Sequence, residues 1–256
     1  MSKKKKLIPE RLAQLRSMLR QNHTVRVEDV CEKLGISPPT ARRDLERLEQ
    51  KGIARRVHGG AILAEKRLEE PLFDDKTSIA MREKMKIAAL AAELVRANDT
   101  IYIDGGSTTL ELARLLRERD KLNIVTNSLR TALELSGSGP SITLVGGRLR
   151  RRSQTMVGSL SRLILGELHF DRAFMGTIGL TLEEGMTTTE PDEAYTKRLA
   201  MGQSSESILL ADSSKIGKVS FARAGDISEI SKLVTDKNAD QKFIKAVRKL
   251  GIEVIQ

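Results

Sequence analysis

SPPTARRDLERLEQKGIARRVHGGA, residues Ser37 to Ala61, reads as a short basic helix followed by a basic hairpin, with almost no counter-charge on its outer side. Ser37 suits the free amides of a first turn, and Pro38 suits the first helical position, where no N–H is needed. Ala41, Leu45 and Leu48 recur at helical spacing and turn inward, leaving Thr40, Arg42, Arg43 and Arg47 on or near the opposite side. Gly52 stops the helix, and Ile53–Val57, Gly59-Gly60 and Ala61–Leu63 then read as two short strands around a tight turn. A helix offering Thr and Arg suits a DNA major groove, with Arg55, Arg56 and His58 of the hairpin set to meet phosphates beside it. Upstream, Leu7–Gln21 puts Leu12, Leu15, Met18 and Leu19 on one face. Val27–Leu34 does the same with Val27, Val30 and Leu34, and Gly35-Ile36 turns the chain into the basic helix. Any single Arg pair is equally a solvated helix face. Capped helix, glycine turn, basic helix and glycine hairpin, in that order, make a winged helix-turn-helix over residues 1–64.

The charge of the chain agrees. Of 44 Lys and Arg and 34 Asp and Glu, giving +10 overall, 15 basic and 7 acidic residues fall at or before Ala64. That leaves 29 against 27 for the remainder. A +8 head joined to a nearly neutral body is the footprint of a nucleic-acid-binding module attached to a second domain. Lys3–Lys6 reads equally as an arm adding phosphate contacts and as a solubilising start. A single cysteine, Cys31, excludes an internal disulfide framework, and the scattered His23, His58 and His169 give no support to a metal site. No apolar run has membrane-spanning length, and the Lys-rich start lacks the apolar segment of a signal peptide, so the expected compartment is the cytoplasm. Without Trp and with few aromatics, the chain lacks the stacking platforms of a single-strand binder.

Glu65–Lys76 is charged and contains Pro71, which places a linker at residues 65–78. A long amphipathic helix is expected over Ile79–Arg96, with Ile87, Leu90, Ala91 and Leu94 inward. Strands are then readable at Thr100–Ile103, Asn123–Thr126, Ser141–Val145, Ala173–Met175, Ser207–Ala211, Lys232–Thr235 and Glu253–Ile255. Helices fit between them at Thr108–Arg117, Leu129–Leu135, Leu160–Leu165, Glu193–Met201 and Gln241–Leu250. This alternation predicts an α/β domain over residues 79–256, its largely parallel sheet covered on both faces.

Ligands of such sheets bind at the carboxyl ends of the strands, and there the sequence gathers small and polar residues. Asp104 leads into Gly105, Gly106, Ser107, Thr108 and Thr109, a turn whose glycines admit an anion and whose amides and hydroxyls open a helix. The next strand ends at Thr126, Asn127 and Ser128, another at Gly146, Gly147 and Arg148. Further strands end at Gly176-Thr177 and at Asp212, Ser213, Ser214 and Lys215. One such turn is equally a tight strand–helix connection, and it matches neither a nucleotide P-loop nor the dinucleotide fingerprint. Five strand ends together point to a small phosphorylated ligand. The run Arg148, Arg150, Arg151 and Arg152 reads as solvated surface ahead of an added phosphate clamp.

The chain resembles the DeoR family of bacterial transcriptional regulators. In the first domain the likeness rests on Ser37, Thr40, Arg42, Arg43, Asp44, Leu45, Leu48 and Gly52, then Arg56, His58, Gly59, Gly60 and Ala61. Ala41 departs from the bulkier β-branched residue of many relatives. In the second domain it rests on Asp104–Thr109, Thr126-Asn127-Ser128, Gly146-Gly147, Asp171 with Gly176, Gly185 through Glu190, Ala211–Lys215 and Thr235-Asp236. The resemblance implies a sensor domain similar in fold to ribose-phosphate isomerases and a cytoplasmic repressor of double-stranded operator DNA. It also implies a sugar-phosphate effector, a homo-oligomer (commonly a dimer or tetramer), and neither cofactor nor catalysis. The effector residues it suggests are Asp104, Gly105, Gly106, Ser107, Thr108, Thr109, Thr126, Asn127, Gly146, Gly147, Gly176, Glu190, Asp212 and Lys215.

Two other classes compete. A sugar-phosphate isomerase fused to a DNA-binding module would use Asp104, Asp171, Glu190 or Asp212 as an acid–base pair, with Lys215 neutralising an enediolate. The same groups serve equally as acceptors for sugar hydroxyls and as a phosphate anchor, and fold likeness alone is a weak warrant for chemistry. An RNA-binding protein is disfavoured because the deep, narrow major groove of A-form RNA does not admit a helix.

Overall fold

Helical spacing of apolar residues sets the first unit. The computed structural model describes residues 8–22, 24–50, 53–63 and 70–256, and the chain divides into two units between Lys66 and Arg67. The expectations for Lys3–Lys6, His23, Gly52, Ala64 and residues 65–69 of the linker lie outside the described residues. The first unit runs α1 (Ile8–Asn22), β1 (Thr24–Arg26), α2 (Val27–Leu34), α3 (Pro38–Gln50), β2 (Ala54–Val57) and β3 (Gly60–Leu63). Leu15, Leu19, Val30, Ala41, Leu45, Leu48 and Ala61 form its core. Strand β1, too short to read from sequence, joins the hairpin in the antiparallel order β1-β3-β2. Gly60 permits this pairing: a Cβ there would stand 2.1 Å from the Val25 carbonyl oxygen.

The second unit begins with α4 (Phe73–Ser78) and α5 (Met81–Ala92). It continues β4 (Thr100–Ile103), α6 (Ser107–Leu115), β5 (Asn123–Thr126), α7 (Leu129–Leu135), β6 (Ser141–Leu144), β7 (Arg148–Arg150), β8 (Thr155–Val157) and α8 (Ser159–Gly166). Then come β9 (Phe170–Met175), β10 (Gly179–Thr181), β11 (Gly185–Thr188), α9 (Pro191–Gly202), β12 (Ser204–Leu210), β13 (Ala222–Gly225), β14 (Lys232–Val234), α10 (Gln241–Lys249) and β15 (Glu253–Ile255). Seven strands form one sheet in the order β15-β14-β12-β9-β4-β5-β6, and every neighbouring pair in it is parallel. These are the seven strands readable in the sequence. Period-two alternation splits β4 between the two faces: Ile101 and Ile103 pack with Ile87, Ala91 and Leu112, while Tyr102 packs with Phe170 and Met175 on the other side. The sheet is therefore covered on both faces, as its apolar strands require.

Three expectations need correction. The long helix expected over Ile79–Arg96 is the shorter α5, Met81–Ala92, which begins after Ala80 at φ +53° and gives way to turns before β4. Residues 70–78, read as linker, belong to the second unit, with Glu70, Phe73 and Lys76 buried in it. The Arg148–Arg152 run is not simply solvated surface. It enters the β7–β8 hairpin, and Arg150 is half-buried between Glu70 and Glu193.

Candidate functional site

The first candidate surface is the outer side of α3 and the hairpin. Burial of Ala41, Leu45 and Leu48 leaves Arg42 and Arg43 exposed, with Arg55, Arg56 and His58 exposed on the hairpin. Arg42, Arg56 and His58 line one groove between the two elements. The Arg56 amide donates to Glu49 at 2.9 Å, fixing the hairpin against α3. The Ser37 and Thr40 hydroxyls meet at 2.9 Å. Arg47 does not stand free on the outer face, because its Nη1 lies 3.1 Å from Asp44. Asp44 is fully buried and also takes Arg11 Nε at 2.8 Å, so this carboxylate clamps α3 to α1. Its position, three after Ala41 and four before Leu48, already put it on the inner face.

The second candidate is a pocket at the carboxyl ends of β4, β9 and β12. It gathers Gly105, Gly106, Ser107, Thr108, Thr109, Gly176, Asp212 and Lys215 of the sequence-derived set. Gly105 is required by close approach, since a Cβ there would lie 2.1 Å from Thr155 Cγ2. The first-turn amides of α6 have no partner within the helix, and its N-terminal partial charge favours an anion. Thr109 ties the turn together by donating to the Asp104 carbonyl at 2.7 Å. Asp212 caps the short turn Ser213–Lys215 by accepting the Ser214 amide at 3.0 Å, which delivers Lys215 to the pocket.

The remaining candidates lie outside the pocket lining. Asp104 cannot serve as a free acceptor of sugar hydroxyls: it is ion-paired to Lys197 and accepts the Gly176 amide at 3.0 Å. Thr126 bridges strands by donating to the Ile103 carbonyl at 2.6 Å. Asn127 donates to the Met156 carbonyl at 3.2 Å, and its buried Oδ1 has no partner among the described residues. The Gly146 carbonyl accepts Ser161 at 2.6 Å, and Gly147 packs against Ser161 and Val157. Glu190 stands at the start of α9 with Arg150 3.7 Å away.

Sequence reasoning missed Glu70, Lys76, Lys84, Thr188, Glu193 and Lys197, all of which line the pocket. Four of its lining residues are thus lysines, and their pairing differs. Lys197 is held by Asp104 and Lys76 by Glu70 at 2.6 Å. Among the described residues Lys84 and Lys215 form no ion pair with a carboxylate; Lys84 donates to the Lys76 carbonyl. Burial, then repulsion from Lys215 and Lys76, pushes the Lys84 ammonium down to about 8. Burial likewise lowers Lys215, opposed by Asp212 and reinforced by Lys218 and Lys76. Glu70 takes Arg150 at 2.6 Å and Thr189 at 2.8 Å on its other oxygen. Burial pushes Glu70 up, but Lys76, Thr189 and Arg150 together hold it below the usual carboxylate range. Two ammonium groups without a carboxylate ion pair among the described residues thus stand beside a helix N-terminus, an arrangement that favours an anion.

The carboxylates do not assemble an acid–base pair. Asp104 is locked to Lys197, and Glu193 is held by Arg150 at 3.2 Å and Thr155 at 2.9 Å. Asp171 lies at the amino end of β9, where it accepts the Thr100 amide at 2.7 Å. Among the described residues no cluster of His, Cys, Asp and Glu is arranged to hold a metal ion, and no helix is long and apolar enough to cross a membrane.

Residues 11–67 match the DeoR-like helix-turn-helix domain and residues 79–237 the DeoR C-terminal sensor domain. The chain is 34% identical over 249 residues to the putative aga operon transcriptional repressor of Escherichia coli O157:H7, covering 96% of this chain and 93% of that protein. It is 37% identical over 243 residues to the lactose phosphotransferase system repressor of Streptococcus mutans serotype c, covering 92% and 95%. Among solved structures it is similar to ribose 5-phosphate isomerase A from Methanocaldococcus jannaschii, at 18% identity and a TM-score of 0.40, over 53% of this chain and 54% of that one.

Proposed function

Because this chain belongs to the DeoR family of DNA-binding transcriptional regulators, we propose that it represses a sugar-utilisation operon and that a phosphorylated sugar in the strand-end pocket changes its affinity for double-stranded operator DNA. It is a regulator and not an enzyme, as its named relatives are. The observation that carries the effector reading is the pair Lys84 and Lys215, without a carboxylate ion pair among the described residues, beside the Gly105–Thr109 turn. The phosphate sits on the first-turn amides of α6 between these two ammonium groups. Asp212 faces the rest of the pocket as an acceptor for sugar hydroxyls, while Glu193 is already held by Arg150, Thr155 and Thr188. On the DNA side, Arg42 and Arg43 read base edges from α3, while Arg55, Arg56 and His58 hold phosphates. Arg47, Ser37 and Thr40 order the start and inner edge of the helix. The working form is a cytoplasmic homo-oligomer, whose two heads read half-sites about one helical turn apart.

A thermal-shift screen of sugar phosphates against the matching free sugars tests this reading, since a ligand that binds only the folded state raises the midpoint. Stabilisation by one or more phosphorylated sugars, and none by their unphosphorylated counterparts, is expected. Equal stabilisation by both forms rejects the phosphate site. Interconversion of an aldose and a ketose phosphate by the purified protein would restore the enzyme reading.

A further inference from the structure

The pocket is small. Its free space is about 40 Å³, far below the roughly 300–1,000 Å³ of a site that takes a small organic ligand. Part of that volume is denied by the chain itself. Glu70 is 3% exposed and commits its carboxylate to Lys76, one of the cations lining the pocket, and to partners outside that lining. One oxygen takes Lys76 at 2.6 Å; the other takes Arg150 at 2.6 Å and Thr189 at 2.8 Å. The Arg152 guanidinium also grips the Glu70 backbone carbonyl, so the residue is fastened at both ends.

Two features connect this carboxylate to what surrounds it. Lys84 donates to the carbonyl of Lys76, the residue whose side chain holds Glu70. Recruiting the Lys84 ammonium to a phosphate therefore removes a tie on α4. Glu70 is also only three residues beyond the start of the second unit at Arg67. It therefore belongs to the part of the second unit nearest in sequence to the DNA-reading head.

We propose that Glu70 is an internal counter-anion that occupies the Lys76 side of the pocket as a latch, and that a phosphorylated ligand held by Lys84 and Lys215 opens the latch by taking over Lys76. This rests on the effector reading above and adds its regulation. A buried carboxylate that shares its donors with an incoming dianion is repelled by it, because like charges in one desolvated site cannot both be satisfied. The ligand enters as Glu70 leaves, and α4 loses its ties through Lys76. Occupancy is thereby converted into freedom of residues 70–78 without any change within the recognition helix. A ligand shifts such an equilibrium only through its preference for one state, and the latch supplies that preference as competition for Lys76.

The test uses the full-length chain, inorganic phosphate as probe, and two variants, Glu70→Gln and Lys215→Met. Glu70→Gln keeps the size of the side chain and removes the competing charge. It is expected to bind phosphate about tenfold more tightly than wild type, with a correspondingly larger phosphate-induced rise in melting temperature. Hydrogen exchange needs no variant: phosphate is expected to speed exchange of the Phe73–Ser78 amides in wild type, and Glu70→Gln to show the faster exchange already without phosphate. The latch is overturned if Glu70→Gln binds phosphate no more tightly than wild type, or if phosphate protects the Phe73–Ser78 amides. Loss of binding in Lys215→Met alongside either result leaves the pocket in place and removes only the latch. Equal phosphate affinity in wild type and both variants removes the pocket and the latch together.

Discussion

Replacing Lys84 with Met separates what the pocket costs the fold from what it offers a ligand. The Lys84 side chain is buried, 3% exposed, and has no carboxylate partner among the described residues. Its fall from 10.5 to about 8 corresponds to about 3 kcal/mol of destabilisation while it is charged at pH 7. Met has nearly the same length and shape, but it forfeits the hydrogen bond to the Lys76 carbonyl, worth about 1 kcal/mol. The net expectation is a variant more stable than wild type by about 2 kcal/mol at pH 7, or roughly 4–8 °C in melting temperature for a domain of this size. The sign with pH follows from the direction of the shift. Between pH 8 and 10.5 the unfolded chain binds more protons than the folded one, so wild-type stability rises across that window while the Met variant gains nothing there. The gap between them should shrink to about 0.5 kcal/mol by pH 9.5. Thermal melts by circular dichroism at pH 7 and 9.5, in buffers free of phosphate and sulfate, read both quantities. Adding phosphate should stabilise wild type and leave the variant unmoved. A variant that melts at or below wild type at pH 7, or a gap that persists undiminished at pH 9.5, refutes the assignment of Lys84 as an uncompensated buried cation.

Gly105→Ala should abolish phosphate binding and lower the melting temperature, at a cost of roughly 1–3 kcal/mol, because its Cβ meets buried Thr155 at 2.1 Å; Gly106→Ala, whose nearest contact is Thr109 at 3.2 Å, should do neither. Calorimetry and melting of the two variants decide this. Sugar-phosphate affinity should peak between about pH 6 and 8. Below that range the phosphate takes up its second proton, and above it Lys84 loses its own; a flat profile from pH 6 to 9 would count against the lysine pair. Arg42→Ala and Arg43→Ala should each lose about 1–3 kcal/mol of operator affinity and relax specificity, whereas Arg56→Ala should weaken all sequences alike and reduce the salt slope by about one. Salt-titrated binding to a genomic fragment selected by the protein itself distinguishes the two patterns.

The architecture was legible where burial on both faces writes itself as apolar runs. TIYI at β4 and NIVT at β5 match their strands residue for residue. Strands β7, β8, β10, β11 and β13 were not legible. They have three or four residues each, and their pairing is decided by contacts across the fold rather than by local pattern. The polar side of the pocket was half legible. The glycine turn announces itself through its composition, but Lys84 sits in MREKMKIAALAA, where a lysine reads as solvated surface. Its position three before Ile87 and seven before Ala91, on the buried stripe, was the available signal. Glu70 was hidden differently. EEPLFDDK looks like a linker because the charges that neutralise it, Lys76 and Arg150, are brought there only by folding, the second from 80 residues away. Asp104 shows the converse error, since its place at a strand end suggested a ligand contact that Lys197, unremarkable on α9, already occupies.

The central claim is that a phosphorylated ligand in the second unit and operator DNA on the first act on one shared equilibrium. Linkage then makes the effect reciprocal: the factor by which a sugar phosphate changes operator affinity must equal the factor by which operator changes sugar-phosphate affinity. The decisive measurement is calorimetric affinity for the sugar phosphate that gives the largest thermal shift, with and without saturating operator, beside operator affinity with and without that sugar. Equal factors of about 5–150 in wild type, both collapsing to one in Lys215→Met, are predicted. Unequal factors in wild type, or a DNA response that survives in Lys215→Met, would contradict the account.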